Sequence, residues 1–252
     1  MENVLFDKKD GICTITLNQP KKMNGLSEGM VTDLLSALDE ADQDDDVKVI
    51  VITGQGKIFC AGGDISIFDG DIPSGYKYLQ LVLRGFGKIE KISKPIIGAV
   101  NGMALGGGTE LTIVCDIAIA SDSAIFGLPE VGIGIMPGFA ILRLHQIIGR
   151  TRAKELIMTG KKIDATEAER IGLINKVVPA DKLMDAVQEE AGILMSKAPF
   201  SLKLAKAIVN KDLGGEELVS AVNATSLFFG LDDLKEGRNS FFEKRKPNFK
   251  GK

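Results

Sequence analysis

The sequence predicts an α/β fold, with a front half in which strands and helices alternate and a back half made of helices. Two apolar runs, the near-continuous 47–52 and 96–100, have the composition of strands buried on both faces of a parallel sheet. Helical patterns separate these runs, which favours mostly parallel strand pairing. After about residue 138, glycine and aspartate capping signals bound one helix after another.

The front half begins with a strand and a capped helix. Residues 12–17 alternate threonine with apolar side chains, as a strand does. Ser27 is a typical N-cap, and the helix that follows has one apolar face, formed by Met30, Leu34, Leu38 and Ala41. The further predictions are a strand at 47–52, a helix at about 76–91, a strand at 96–100, a short helix after Gly106 and a strand at 117–120.

The back half is predicted from its capping residues. Gly160 and Gly172 are expected to end helices, and Asp164 and Asp181 to begin them. Pro199 separates two helical runs, and a final helix is expected from Asp232 to Phe242. These patterns divide the chain into a core, residues 1–195, and a C-terminal helical region, residues 196–252.

Composition excludes several classes of protein. The 252 residues are 44% apolar and 26% charged with a net charge of −3, which does not favour a nucleic-acid-binding surface. The most apolar segment, 95–120, contains Glu110 and Asp116, so we expect no membrane span. The three cysteines show no disulfide or metal-binding spacing, and the N-terminus is unlike a signal peptide. We therefore expect a cytoplasmic protein without a metal site.

The chain contains few residues suited to nucleophilic catalysis. Its one histidine, His145, is interpreted as a structural helix residue, and no Gly-x-Ser-x-Gly motif is present. A P-loop is absent, and neither Gly132, Gly134 and Gly138 nor the run Gly106–Gly108 has the spacing of a dinucleotide-binding motif. The residues left for chemistry are carboxylates and backbone N–H groups.

Two glycine-rich loops follow predicted core strands. The first contains Gly62 and Gly63, and the second contains Gly106 and Gly107 at the start of a helix. Glycine at a helix start costs about 1 kcal/mol relative to alanine, which suggests that a ligand approaches this backbone closely. Free N–H groups there would suit an oxyanion or phosphate. An ordinary tight turn remains the alternative for the first loop.

Two glutamates are the candidate acid–base residues. Glu110 lies in the first turn of the helix after the second loop, where the helix dipole favours its ionised form; it could equally be a plain N-terminal charge. Glu130 follows Pro129 in an apolar segment, where desolvation would raise its pKa. The alternative for Glu130 is an exposed position on a loop tip.

Together these segments resemble the enoyl-CoA hydratase/isomerase (crotonase) superfamily, and most closely its hydratases. The resemblance covers nearly the whole chain in order. The segments that carry it are 17–26 (LNQPKKMNGL), 60–65 (CAGGDI), 101–110 (NGMALGGGTE), 115–120 (CDIAIA), 126–138 (FGLPEVGIGIMPG) and 242–249 (FEKRKPNF).

The resemblance implies a crotonase-like spiral of ββα units with a C-terminal helical trimerisation region, assembled as a homotrimer or homohexamer. It implies that the N–H groups of Gly63 and Gly107 form an oxyanion hole for the thioester carbonyl. Glu110 and Glu130 would both be catalytic and hold a water molecule against a 2-enoyl-CoA. No separate cofactor is expected, since coenzyme A is part of the acyl-CoA substrate.

Further residues are implied to bind the substrate, namely Lys22, Ala61, Asp64, Ile65, Gly106, Pro129 and Gly138. The basic tail at 244–252 could also approach coenzyme A, or it could be a solvated end.

One segment departs from the family pattern. After Gly138, residues 139–144 (FAILRL) replace a polar run of hydratases and are one residue shorter. This keeps other reactions of the superfamily open: isomerisation, dienoyl-CoA hydration, thioester hydrolysis and decarboxylation. Two further alternatives lie outside catalysis. The presence of both glutamates disfavours a non-catalytic coenzyme A-binding protein, and the acidic charge balance disfavours an RNA-binding role.

Overall fold

Two sheets form the framework of the protein in a computed structural model that describes residues 1–64, 72–211, 232–233, 236 and 243–251. The strands are β1 (Val4–Lys9), β2 (Ile12–Leu17), β3 (Val49–Gly54), β4 (Ile58–Cys60), β5 (Ile96–Val100), β6 (Met103–Leu105), β7 (Ile117–Ser121), β8 (Ile125–Gly127), β9 (Lys162–Asp164) and β10 (Lys176–Val178). The helices are α1 (Glu28–Gln43), α2 (Ile72–Ile89), α3 (Gly107–Ile113), α4 (Ala140–Ile148), α5 (Arg150–Thr159), α6 (Ala165–Arg170), α7 (Leu183–Met195) and α8 (Pro199–Val209).

The strands are shared between the sheets in a regular way. The larger sheet has the order β1-β2-β3-β5-β7-β10, and the smaller has the order β4-β6-β8-β9. Consecutive strands alternate between the sheets: β3, β5 and β7 belong to the larger sheet, and β4, β6 and β8, which follow them along the chain, belong to the smaller. Helix α2 follows β4, and helix α3 follows β6. Only β1–β2 and β8–β9 pair antiparallel among the described strands. This arrangement confirms the predicted α/β spiral of ββα units.

Strand β3 shows why residues 49–52 are continuously apolar. All six of its residues are buried. Ile50 and Ile52 belong to the main core, whereas Val49 and Val51 pack in a second cluster that includes Leu183 of α7. Because successive side chains of a strand point to opposite faces, a strand covered on both faces needs apolar residues throughout.

The N-terminus of α1 agrees with its sequence signals. The Ser27 side chain accepts a hydrogen bond from the Met30 N–H at 3.2 Å, which confirms the N-cap. The four residues of the predicted apolar face are all buried. Gly160 is the C-cap of α5 and Gly172 follows the C-cap residue of α6, both with left-handed φ angles, as predicted for helix C-termini.

Several predictions of elements were wrong. The back half also contains β9 and β10, and the loops of the front half contain β4 and β6, because three-residue strands are too short to show a period. Asp181 lies in a short 3₁₀ helix, and Lys182 holds the cap position of α7 without a side-chain bond. The final helix predicted for 232–242 lies mostly outside the described residues.

Helix α8 is joined to the sheet by a partly buried ion pair. Lys206 Nζ lies 2.7 Å from Asp116 Oδ2, and the lysine side chain is only 8% exposed. The same carboxylate oxygen accepts the Ile96 N–H at 2.7 Å. The pair therefore connects α8 to the beginnings of β5 and β7. Within the described residues, no helix is long and apolar enough to cross a membrane.

Candidate active site

The first glycine loop, residues 61–64, is held by the segment that precedes α1. Leu26 pairs with Gly63 in parallel fashion, and the Leu26 N–H donates to the Gly62 carbonyl at 2.8 Å. The Ala61 N–H donates to the Met23 carbonyl at 3.0 Å. In a trans peptide the C=O and N–H point in opposite directions. The Gly63 N–H, which shares a peptide with the Gly62 carbonyl, therefore points away from Leu26.

The second glycine loop joins β6 to α3. Gly106 has φ 52° and ψ −122°, a conformation that favours glycine, and its N–H donates to the Gly127 carbonyl at 2.9 Å. The Gly106 carbonyl accepts the Glu110 N–H at 3.0 Å and so begins the helix. The turn at Gly106 therefore places the first N–H group of α3, that of Gly107, beside the first loop.

The two loops approach each other closely because they lack side chains. A Cβ on Gly62 would lie 2.6 Å from the Leu105 carbonyl oxygen and 3.1 Å from the Gly107 nitrogen. A Cβ on Gly107 would lie 3.5 Å from the Gly63 nitrogen. Within the described part of the chain, neither the Gly63 N–H nor the Gly107 N–H donates a hydrogen bond. Two such neighbouring donors are suited to binding an oxyanion.

Glu110 is buried beneath these donors, in the first turn of α3. Its side chain accepts two backbone hydrogen bonds through Oε1, from the Phe139 N–H at 2.7 Å and the Ala140 N–H at 2.9 Å. Burial raises the pKa of the carboxyl, and the two N–H bonds oppose that rise. Burial therefore opposes the ionised form that the helix dipole was expected to favour.

Glu130 approaches the same place from a 3₁₀ helix, Pro129–Ile133. Its Oε2 is buried and has no hydrogen-bond partner in the described structure. Burial raises the pKa of Glu130 to about 7, and the negative charge of Glu110 adds to the rise. The prediction of a desolvated Glu130 is confirmed. A buried polar atom without a partner is rare in proteins, and a catalytic role is one of the recognised explanations for it.

The other predicted substrate-binding residues have different surroundings. Ala61 and Asp64 are half-buried in the first loop, and Pro129 begins the 3₁₀ helix of Glu130. Gly138 packs on α2, where a Cβ would lie 2.8 Å from Leu83 Cδ2. Lys22 is exposed. Ile65 lies outside the described residues.

Sequence reasoning missed the contribution of Phe139 and Ala140. These residues begin the segment 139–144 that departs from the family pattern, yet their backbone N–H groups hold Glu110. Any residue except proline provides an N–H group, so no side-chain signal could reveal this role. Arg143 of the same segment forms a two-pronged ion pair with Glu90, which is a structural contact.

Other candidates lie elsewhere. His145 lies on α4, a helix of the back half, as predicted, and its side chain is exposed. Arg245 of the basic tail is bound to Glu236 at 2.6 Å, so its charge is partly neutralised. In the described ranges, no three His, Cys, Asp or Glu side chains are grouped to hold a metal ion.

Comparison with known proteins finds relatives along the whole chain. Residues 7–252 match the enoyl-CoA hydratase/isomerase family. The chain is 39% identical over 254 residues to a crotonyl-CoA hydratase of Syntrophomonas wolfei, covering 98% of each protein. It is 39% identical over 252 residues to a short-chain-enoyl-CoA hydratase of Clostridium acetobutylicum, covering 98% of this chain and 97% of the relative.

Solved structures agree with these matches. The crystal structure of an enoyl-CoA hydratase from Bacillus anthracis has a TM-score of 0.93 to this fold at 34% identity. That alignment covers 99% of this chain and 100% of the other.

Proposed function

The chain belongs to the enoyl-CoA hydratase/isomerase family, and we propose that it is an enoyl-CoA hydratase, reversibly adding water to the double bond of a 2-enoyl-CoA thioester. The observation that carries this proposal is the meeting of two desolvated carboxylates, Glu110 and Glu130, beside two free backbone N–H groups. Hydration needs a base for water, an acid for carbon and a site for the negative charge that develops on the thioester oxygen.

The N–H groups of Gly63 and Gly107 would bind the thioester carbonyl oxygen. As water adds to C3, the electron pair of the double bond moves through C2 toward this oxygen and creates an enolate. Because the donors are fixed by the backbone, they stabilise the charge without reorganising; the loss of one such donor typically costs about 3–4 kcal/mol.

The two glutamates would divide the proton transfers. Glu110 accepts two N–H hydrogen bonds, which favour its charged form, so it is the better base for the attacking water. Glu130 has an unpartnered oxygen and a pKa of about 7, so it keeps a proton more readily and would deliver it to C2. With both carboxylates beside the second glycine loop, water and proton would reach one face of the alkene, which is syn addition.

The remaining expectations complete the proposal. Coenzyme A, as part of the substrate, would follow the first loop along Ala61, Asp64 and Ile65 with Lys22 nearby, and no separate cofactor is needed. Several exposed apolar side chains support assembly as a homotrimer or homohexamer, among them Met136, Leu142, Met158 and Val209. Three unpaired cysteines support a reducing, cytoplasmic location.

The test is an assay of the purified protein with crotonyl-CoA. We expect loss of the conjugated thioester absorbance and formation of 3-hydroxybutyryl-CoA. Parallel reactions with 3-butenoyl-CoA and with a thiol reagent detect isomerisation and thioester hydrolysis. The hydratase proposal is wrong if short- and medium-chain 2-enoyl-CoAs are not hydrated while isomerisation or thioester hydrolysis proceeds. It is also wrong if these thioesters bind to the protein but none of the three reactions occurs.

A further inference from the structure

The hydroxyl group of Tyr78 stands between the first glycine loop and the segment that holds it. Tyr78 lies on α2, and its side chain is buried at 2% exposure. Its hydroxyl donates to the Leu26 carbonyl at 2.7 Å and accepts the Asp64 N–H at 3.1 Å. It therefore contacts the residue that follows Gly63 and the residue that pairs with Gly63.

This hydroxyl replaces a direct hydrogen bond of the parallel pair. In parallel pairing, the N–H and C=O of one residue bond to the two neighbours of the residue opposite. Leu26 makes the first bond through its N–H, to the Gly62 carbonyl. Its second bond, from the Asp64 N–H, passes through the Tyr78 hydroxyl instead. The Tyr78 hydroxyl oxygen thus lies between the Asp64 N–H and the Leu26 carbonyl, so these two groups are farther apart than in a direct hydrogen bond.

The two contacts control the orientation of Gly63. The Leu26 N–H fixes the peptide before Gly63, and the Tyr78 hydroxyl fixes the peptide after it. Peptide planes on both sides determine where the Gly63 N–H points. A useful oxyanion donor must lie about 2.7–3.1 Å from the charged oxygen, so a shift of a few tenths of an ångström weakens it.

We propose that Tyr78 is a positioning residue of the oxyanion hole, and that its hydroxyl keeps the Gly63 N–H directed at the thioester oxygen. The inference rests on the proposed use of this N–H group in catalysis. Burial raises the pKa of Tyr78 to about 12, so the hydroxyl keeps the proton that it donates to Leu26.

The experiment compares Tyr78→Phe with Tyr76→Phe. Tyr76 lies on the same helix and is 64% exposed, and its hydroxyl accepts a hydrogen bond from Gln80 at 2.7 Å. Within the described residues it makes no hydrogen bond to the first loop. Both changes remove one hydroxyl group from α2. The measured quantities are kcat and KM for crotonyl-CoA, and the affinities for acetoacetyl-CoA, which can bind as an enolate, and for butyryl-CoA, which cannot.

We expect Tyr78→Phe to lower kcat about 10-fold with KM changed less than about 3-fold, since one donor is displaced rather than lost. Affinity for acetoacetyl-CoA should fall about 10-fold while affinity for butyryl-CoA stays the same, and Tyr76→Phe should match the wild type. The proposal would be overturned if Tyr78→Phe and Tyr76→Phe had the same kcat. It would also be overturned if Tyr78→Phe lost affinity for acetoacetyl-CoA and butyryl-CoA equally. Binding of acetoacetyl-CoA does not require the hydration reaction. If the wild-type protein binds the enolate of acetoacetyl-CoA but hydrates no 2-enoyl-CoA, the proposed function is wrong while the proposed role of Tyr78 can still be tested.

A second measurement covers the case in which Tyr78→Phe does not fold. In the Tyr76→Phe protein, Tyr78 is the only tyrosine, so 3-fluorotyrosine labels it alone. Its ¹⁹F resonance should shift when acetoacetyl-CoA binds and change much less with butyryl-CoA. No difference between the two ligands would contradict the assignment.

Discussion

The Glu130 carboxylate lies directly against Gly106, so close that a Cβ on Gly106 would be 2.9 Å from Glu130 Oε1. Gly106 immediately precedes Gly107, whose N–H is one of the two free donors. The residue that turns the chain into α3 therefore also leaves the space that Glu130 occupies. The proposed acid–base group and the proposed oxyanion hole therefore meet at one glycine, so we expect their positions to be coupled.

The first prediction concerns this contact. Gly106→Ala should lower kcat by about 10²-fold or more, because the methyl group displaces Glu130 and the positive φ angle strains the turn beside Gly107. The control is Gly132→Ala on the 3₁₀ helix of Glu130, where a Cβ meets nothing within 4 Å. The crotonyl-CoA assay measures both, and a Gly106→Ala enzyme as active as Gly132→Ala would refute the coupling.

The second prediction separates the two glutamates. Glu110→Gln and Glu130→Gln should each lower kcat by about 10²–10⁴-fold, the usual range for general acid–base catalysis. KM should change little, because neither carboxylate is proposed to bind coenzyme A. Glu28→Gln, at an exposed first-turn glutamate of α1, provides the control. Full activity in either active-site variant would remove that residue from the mechanism.

The third prediction concerns stability and pH. The pKa of Glu130 is raised to about 7 from 4.5, so the folded protein holds this proton more tightly than the unfolded chain. The stabilisation is complete below about pH 4.5 and is lost as the pH rises through about 7. Glu130→Gln carries no charge, so its melting temperature relative to the wild type should increase between pH 5 and pH 8. A constant difference over that range would contradict the raised pKa.

The fourth prediction concerns the attachment of α8. Lys206→Met should lower the free energy of unfolding by about 2 kcal/mol, because it leaves the partly buried Asp116 carboxylate without its charged hydrogen-bond partner. Lys203→Met, at an exposed position of α8, should change stability much less. Urea unfolding at a fixed protein concentration measures both. The double variant Asp116→Asn/Lys206→Met should recover part of the loss, and no recovery would contradict a charge effect.

Sequence patterns were reliable where one local property decides the structure. Residues 96–100 were predicted as a strand and are β5, because a continuous apolar run belongs in a sheet covered on both faces. Ser27 was predicted as an N-cap because its hydroxyl reaches an N–H only three residues away. Three-residue strands such as β4 and β6 carry no such local signal, since their pairing partners lie far along the chain.

By itself, the sequence determined the α/β class, the glycine loops, the presence of Glu110 and Glu130, and the desolvation expected for Glu130. Only the tertiary structure decided that Phe139 and Ala140 hold Glu110, that Glu130 lies against Gly106, and that Tyr78 stands between Leu26 and Asp64. The physical reason is that these contacts join backbone groups and residues up to 52 positions apart. Every residue type offers similar backbone groups, so only the packing of helices against the sheets selects which of them meet.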